Sequence, residues 1–410
     1  MGKTDAVKVG RSTSVQGEGF MKRIVFMLIL ACLGLIALAG CGNEPAKEEA
    51  KTDAAPKAAP AAGGAIVLGA AGAHSGDLAS YGLPSVNAAK LVAKMYNEKG
   101  GLLGRQVVVQ SEDDQCKPEL ATNVATKLVS DKVMVVMGHI CSGATKAALP
   151  IYRDAKLVCM SPSATNPPLT QSGEYPNFFR TIASDDAQAK IGVDYAIQSL
   201  GAKKIAVLHD KGDYGKGYAE FAKAFIDQGG QAKVVLFEGV TPGAVDYSAV
   251  VNKVRQSGAD VVIFGGYHPE ASKIVSQMRK KQMKTPFLSD DGVKDDTFIK
   301  VAGADAEGVY ASGPRDISAN PLYKQAIEQH KAEFGSEPGA FFPEAYSASL
   351  ALLNAIEKAG STDYDAVVKA LRSEYVDTPV GRISFDEKGD AIGVGFSMYQ
   401  VQNGQFVELK

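Results

Sequence analysis

The chain has no long block of lysine and arginine, and its 44 basic residues against 46 acidic ones leave a formal net charge of −2. A polyanionic partner such as nucleic acid is therefore not expected, because phosphates select for a basic face. The tyrosines and phenylalanines then fall to core and pocket roles rather than to base stacking. The nucleotide loop Gly-x-x-x-x-Gly-Lys-Ser/Thr is missing, so the chain cannot power a process with a nucleoside triphosphate. The Gly69-x-x-Gly72 spacing is not the Gly-x-Gly-x-x-Gly of a dinucleotide site; a close-packed strand-to-helix turn is the preferred reading, and no cofactor is expected. Histidine is scarce, with five scattered copies, and only His139 falls near the segment singled out below. That disfavours a metal site and denies an enzyme a nucleophile with a base in reach.

Cysteine is equally sparse, and the first two of five copies belong to a targeting pattern. Met21-Lys22-Arg23 supplies positive charge, residues 24–35 an apolar stretch, and Leu38-Ala39-Gly40-Cys41 a small-residue cleavage site ending in cysteine. This resembles a bacterial lipoprotein signal peptide, which implies cleavage before Cys41, acylation of its sulfur, and a membrane-anchored protein in the periplasm or at the cell surface. An ordinary secretory signal or an uncleaved anchor is the plainer alternative. Residues 1–40 are thus a signal region with Met21 as the expected start, and residues 41–64, rich in Ala, Pro, Lys and Glu, are a flexible tether. Cys116, Cys141 and Cys159 remain in an oxidising setting. A Cys116–Cys141 disulfide would join two neighbouring loops, and Cys159, inside an apolar run, reads as a buried free thiol. A thiol nucleophile or metal ligand at Cys141, beside His139, is the competing reading.

The remaining chain is organised around residues 133–145, VMVVMGHICSGAT. A short apolar strand stops at Gly138, and small polar residues, Ser142 and Thr145 among them, open a helix. Such an edge of an α/β sheet presents backbone N–H groups to an anion. Residues 157–165, LVCMSPSAT, repeat the device, so two edges converge on one small negatively charged group. Tyr81, Tyr214, Tyr267 and Asp291 stand at comparable strand ends. Each has a structural reading too: Ser142 as a helix cap, Thr165 as a turn residue, the tyrosines as packed rings, Asp291-Gly292 as a turn pair.

Strand and helix signals alternate from residue 66 to residue 289, restarting near 179–184, which predicts two doubly wound parallel-sheet lobes in an α/β fold. Long helical patterns at 322–334, 341–359 and 364–371 are expected to cross back to the first lobe, and hairpin signals close the chain at 386–390 and at Asn403-Gly404. Residues 65–184 with 315–394 form the first expected lobe, and residues 185–314 with 395–410 the second, joined by a multi-segment hinge.

The stretches AAGAHSGDLASYG, GHICSGAT, SPSATNPPLT, LHDKGDYGKG, FGGYHPE, SDDGV and FDEKGD, in this order, carry a resemblance. From residue 66 to residue 410 the chain resembles the periplasmic binding proteins for leucine, isoleucine and valine, the type I substrate-binding subunits of branched-chain amino acid ABC transporters. The resemblance implies a monomeric receptor that captures a free amino acid and passes it to a permease. It implies that Ser142 and Thr165 hold the ligand carboxylate, that Ile140, Cys141, Ser163 and Ala164 line the same edge, that Tyr81, Tyr214 and Tyr267 surround the ligand, and that Cys116 pairs with Cys141. Asp291 stands where the family carries a glutamate facing the ammonium, and Ser163 where it carries alanine; both changes keep alanine, threonine or an amide in play beside the three branched-chain acids. Hydroxyls and backbone N–H groups suit this task, since a buried carboxylate is costly unless such donors replace its water. A sensing module for a chemoreceptor or kinase, and an enzyme of the interlobe cleft, are the rival expectations.

Overall fold

Short apolar runs become strands wherever a small or acidic residue ends them, and the amphipathic segments between them become helices that cover both faces of the sheets. The computed structural model describes residues 64–409. The signal region, Cys41 and all but the end of the tether lie outside those residues. In chain order the first part comprises β1 (Ile66–Gly72), α1 (Ala79–Glu98), β2 (Val107–Asp113), α2 (Pro118–Ser130), β3 (Val135–Met137), α3 (Ser142–Asp154), β4 (Val158–Ser161), α4 (Pro168–Gln171) and β5 (Phe178–Arg180). The second comprises α5 (Asp185–Gln198), β6 (Lys204–His209), α6 (Asp213–Gly229), β7 (Lys233–Gly239), α7 (Ser248–Ser257), β8 (Val261–Gly265), α8 (His268–Lys280), β9 (Phe287–Ser289), α9 (Asp296–Ala302) and β10 (Tyr310–Pro314). The last comprises α10 (Pro321–Phe334), α11 (Phe342–Ala359), α12 (Tyr364–Ser373), β11 (Val376–Thr378), β12 (Gly381–Ile383), β13 (Phe396–Gln402) and β14 (Gln405–Glu408).

One sheet has the order β2-β1-β3-β4-β5 and is parallel throughout. The other runs β14-β13-β10-β9-β8-β6-β7. Its strands β6 to β10 are parallel and repeat the topology of the first, with the earliest strand second from the edge. Strand β13 pairs antiparallel with β10 and β14 antiparallel with β13, so the parallel core of this sheet carries at one edge the hairpin that the Asn403-Gly404 signal predicts. For β14 the reason is local: no helix separates it from β13, and a parallel neighbour requires a long crossover. Asn403 and Gly404 both take positive φ, which is what a tight two-residue hairpin demands.

Helices α11 and α12 pack on the first sheet, α11 against α1, β3 and β4, and α10 packs against α1 and α11. One apolar cluster consequently joins Ile66, Leu68 and Val92 to Phe342, Leu352 and Ile356. The chain moves from one sheet to the other between β5 and α5, between β10 and α10, and before β13. No helix among the described residues is long and apolar enough to cross a membrane.

Candidate ligand-binding site

In both sheets the direction of winding reverses beside the first strand, between β1 and β3 and between β6 and β8. Loops leave in opposite directions at such a point and open a crevice at the carboxyl ends of the strands. Every predicted site residue lies on one of these loops or at the start of the following helix. Tyr81 follows β1, Ile140, Cys141 and Ser142 follow β3, and Ser163, Ala164 and Thr165 follow β4; on the other sheet Tyr214 follows β6, Tyr267 follows β8 and Asp291 follows β9.

A small cavity lies where the two crevices face each other. Tyr81, Ile140, Cys141, Ser163, Tyr214, Tyr267 and Asp291 line it, together with Gly292 and Phe341. Ser142, Ala164 and Thr165 are buried immediately behind this wall rather than on it. The aromatic side is continuous: ring centres lie 5.1 Å apart for Tyr214 and Tyr267, 6.2 Å for Tyr81 and Tyr267, and 5.5 Å for Tyr81 and Phe341. Tyr81 reaches its place because Gly82 lets α1 close onto the end of β1. A Cβ there would stand 1.8 Å from the Ala73 carbonyl oxygen.

The polar side is set by hydrogen bonds within the protein. Ser142 heads α3, whose first N–H groups have no intrahelical acceptor, and its hydroxyl accepts from the Asn166 N–H at 3.3 Å instead of capping its own helix. Ser163 donates to the Ile140 carbonyl at 2.7 Å, which commits its proton and leaves its lone pairs toward the cavity. Arg180, fully buried, donates to the carbonyls of Thr165 (2.7 Å), Asn166 (3.1 Å) and Ala164 (3.3 Å) and pairs with Asp390 at 2.5 Å. It thereby draws the acceptors of this loop inward, away from the cavity. Neither Arg180 nor Phe341 was predicted from the sequence. For Phe341 the signal was Phe342-Pro343, since proline favours the first turn of a helix and so leaves Phe341 outside it. Phe341 takes a left-handed conformation at φ 60°, rare for a bulky side chain, and that turn sends the ring into the cavity.

Asp291 supplies the one carboxylate on the cavity wall. It is 2% exposed, and burial pushes its pKa up to about 6 while the hydrogen bond from the Tyr214 hydroxyl to Oδ1 works in the opposite direction. The Tyr214 hydroxyl also accepts from the Gly292 N–H at 3.0 Å. Burial likewise raises the Tyr81, Tyr214 and Tyr267 phenols, which stay neutral donors. Tyr81 donates to the Gly292 carbonyl at 2.6 Å, a direct bond between the two halves.

Cys116 and Cys141 form a disulfide with Cα atoms 5.4 Å apart, and Cys159 is a buried free thiol, both as expected. The bond removes the thiol nucleophile considered at Cys141. His139 is fully buried and spent on Asp114 at 2.5 Å and on the Tyr152 hydroxyl at 2.9 Å, so it offers the cavity no base. Among the described residues no three metal-ligating side chains come together.

The family described as "Periplasmic binding protein" matches residues 65–405. The leucine-, isoleucine-, valine-, threonine- and alanine-binding protein of Pseudomonas aeruginosa is 37% identical over 335 residues, 82% of this chain and 89% of its own. The Leu/Ile/Val-binding protein of Escherichia coli K12 is 34% identical over 340 residues, 83% of this chain and 92% of its own. Among solved structures, the transporter substrate-binding protein LivJ of Streptococcus pneumoniae, in complex with isoleucine, is similar with a TM-score of 0.76 at 28% identity, covering 84% of this chain and all of that one. The leucine-binding protein LivK of Thermotoga maritima is similar with a TM-score of 0.78 at 26% identity, covering 84% and 98%.

Proposed function

The chain belongs to the periplasmic binding protein family, and from that premise we propose that it captures a free branched-chain or other small aliphatic amino acid outside the cytoplasm and delivers it to an ABC transporter permease. The observation that carries this reading is the cavity itself, walled from both sheets, with Asp291 on one side and the start of α3 on the other. The ligand carboxylate would lie at that helix start, where N–H groups and the Ser142 hydroxyl, beside the Thr165 loop, replace its water without adding charge. The ammonium would meet the ionised Asp291 carboxylate and the lone pairs of Ser163. The aliphatic side chain would lie among Tyr81, Tyr214, Tyr267 and Phe341. Relatives named for threonine and alanine as well as for branched-chain acids support the same range here.

Residues 65–184 with 315–394 act in this reading as one lobe and residues 185–314 with 395–410 as the other, closing about the three chain crossings. A ligand that touches both lobes only when they are shut draws the equilibrium toward the shut form. Contacts between the halves support this mode of closure: Lys146 pairs with Asp213 at 2.7 Å and Asn166 donates to the Asp213 carbonyl at 2.5 Å. The working unit is a monomer, exported through the 1–40 signal and held to the membrane by a lipid on Cys41, with residues 41–64 as tether. Titration calorimetry and thermal unfolding of the purified chain with leucine, isoleucine, valine, alanine, threonine and a short amide test the ligand class. Heat and a raised melting temperature with at least one amino acid are expected; no response to any of them overturns the reading.

A further inference from the structure

Beside the small cavity between the sheets lies a second one of about 430 Å³, within the roughly 300–1,000 Å³ typical of small-molecule sites, that the reading above leaves unused. It flanks the crossing from β10 to α10, where Pro314 and Arg315 line it. Asp291 and Phe341 line both cavities. The two spaces therefore meet at the carboxylate that faces the ligand ammonium and at the ring that ends the aromatic side. A ligand side chain too long for the first cavity has the second as its continuation.

One cation and one carboxylate, from opposite halves of the protein, face this space. Lys294 has room for its stem because residue 313 is glycine: a Cβ there would stand 2.1 Å from Lys294 Cδ. Its ammonium lies 4.3 Å above the Tyr399 ring, which leaves its N–H donors free of any acceptor among the described residues. Glu344, in the first turn of α11, is 4% exposed. Burial pushes its pKa up to about 7, against the pull of its own backbone N–H and of Lys294. The ammonium and the carboxylate act on each other, yet no ion pair joins them or binds either to another described side chain. A donor and an acceptor held apart across a cavity complement a group that both accepts and donates, and a carboxamide does so without net charge. A carboxylate in the same place would be repelled by Glu344, and an ammonium by Lys294.

We propose that the second cavity is a side-chain annex of the ligand site, in which Lys294 donates to the carbonyl oxygen, and Glu344 accepts from the amino group, of a carboxamide-ended amino acid such as glutamine. The inference rests on the amino-acid reading and deepens it. Small aliphatic acids occupy the first cavity alone, and glutamine keeps its ammonium on Asp291 while its side chain passes Phe341 into the annex. Lys294 and Glu344 then decide which longer side chains are admitted and take no part in holding leucine.

Calorimetry with leucine, glutamine, glutamate and lysine at pH 8, where the Glu344 carboxyl is ionised, tests the annex on the unaltered chain and on Lys294→Gln and Glu344→Gln. The unaltered chain is expected to bind glutamine more tightly than glutamate or lysine, and glutamine to compete with leucine. K294Q should weaken glutamine about tenfold or more through the lost charge-assisted hydrogen bond. E344Q should pass the preference from glutamine to glutamate, an exchange that mere loosening of the fold does not produce. Leucine binding by both variants should stay within about threefold of the parent, which also shows that they fold. Leucine bound without glutamine overturns the annex and leaves the functional reading standing. The annex is equally overturned by glutamate or lysine binding more tightly than glutamine to the unaltered chain, by glutamine binding that neither variant changes, or by leucine being lost together with glutamine. A chain that binds no amino acid overturns the functional reading, and this inference with it.

Discussion

Replacing Asp291 by asparagine should make the free protein more stable and the receptor worse. Burial lifts this carboxyl from 3.8 to about 6, a difference of about 2.2 pH units. At 1.36 kcal/mol per unit, holding it ionised at pH 7 costs about 3 kcal/mol. Because the folded pKa lies above the unfolded one, the folded protein binds the extra proton between pH 4 and 6. Stability therefore falls as pH rises through that window and stays low above it. The uncharged amide would recover the cost, less about 1 kcal/mol for the weakened bond from Tyr214. The net gain of about 2 kcal/mol corresponds to roughly 3 °C in melting temperature for a fold of this size. Binding moves the other way, since removing one partner of a buried charge pair typically costs about 2–5 kcal/mol, or roughly 30-fold to several thousand-fold in Kd. Thermal unfolding without ligand from pH 4 to 8, with calorimetry at pH 7, reads both. A variant less stable than the parent at pH 7, or an advantage that does not shrink toward pH 4, would refute the reasoning.

Three further outcomes follow from the same geometry. Amino-acid binding should weaken as pH falls below about 6, approaching tenfold per unit, because the ammonium pairs with ionised Asp291 and protonation at that pKa removes the partner; calorimetry between pH 5 and 8 measures it. Ser142→Ala should raise Kd about 10- to 100-fold through loss of one charge-assisted hydrogen bond, with a melting temperature within about 1 °C of the parent. Replacing Cys116 and Cys141 together by serine opens a loop of sequence separation 25 and should cost about 3.5 kcal/mol, roughly 5 °C in an unfolding scan, with the free chain losing stability at every pH tested.

Much of the site was legible because its signals are local. A strand that stops at Gly138 and a helix that opens at Ser142 can be read from a few adjacent residues, as can Tyr81, Tyr214, Tyr267 and Asp291 at the ends of apolar runs. Strand ends in a doubly wound sheet all point the same way, so reading the ends reads the crevice. The resemblance added the pairing of Cys116 with Cys141, and the structure holds that bond.

What the sequence determined by itself, then, is the periodicity of the elements and the residue types on each loop, since backbone geometry enforces both within a few positions. The tertiary structure decided what depends on distant segments meeting. The direction of β13 is set by its pairing with β10, more than 80 residues earlier, so no local pattern marks it as antiparallel. Arg180 reads as the end of an ordinary strand until Asp390 and the 164–166 carbonyls surround it. Phe341 looks like the first residue of a helix, but takes a left-handed turn into a cavity that exists only where the two sheets face each other.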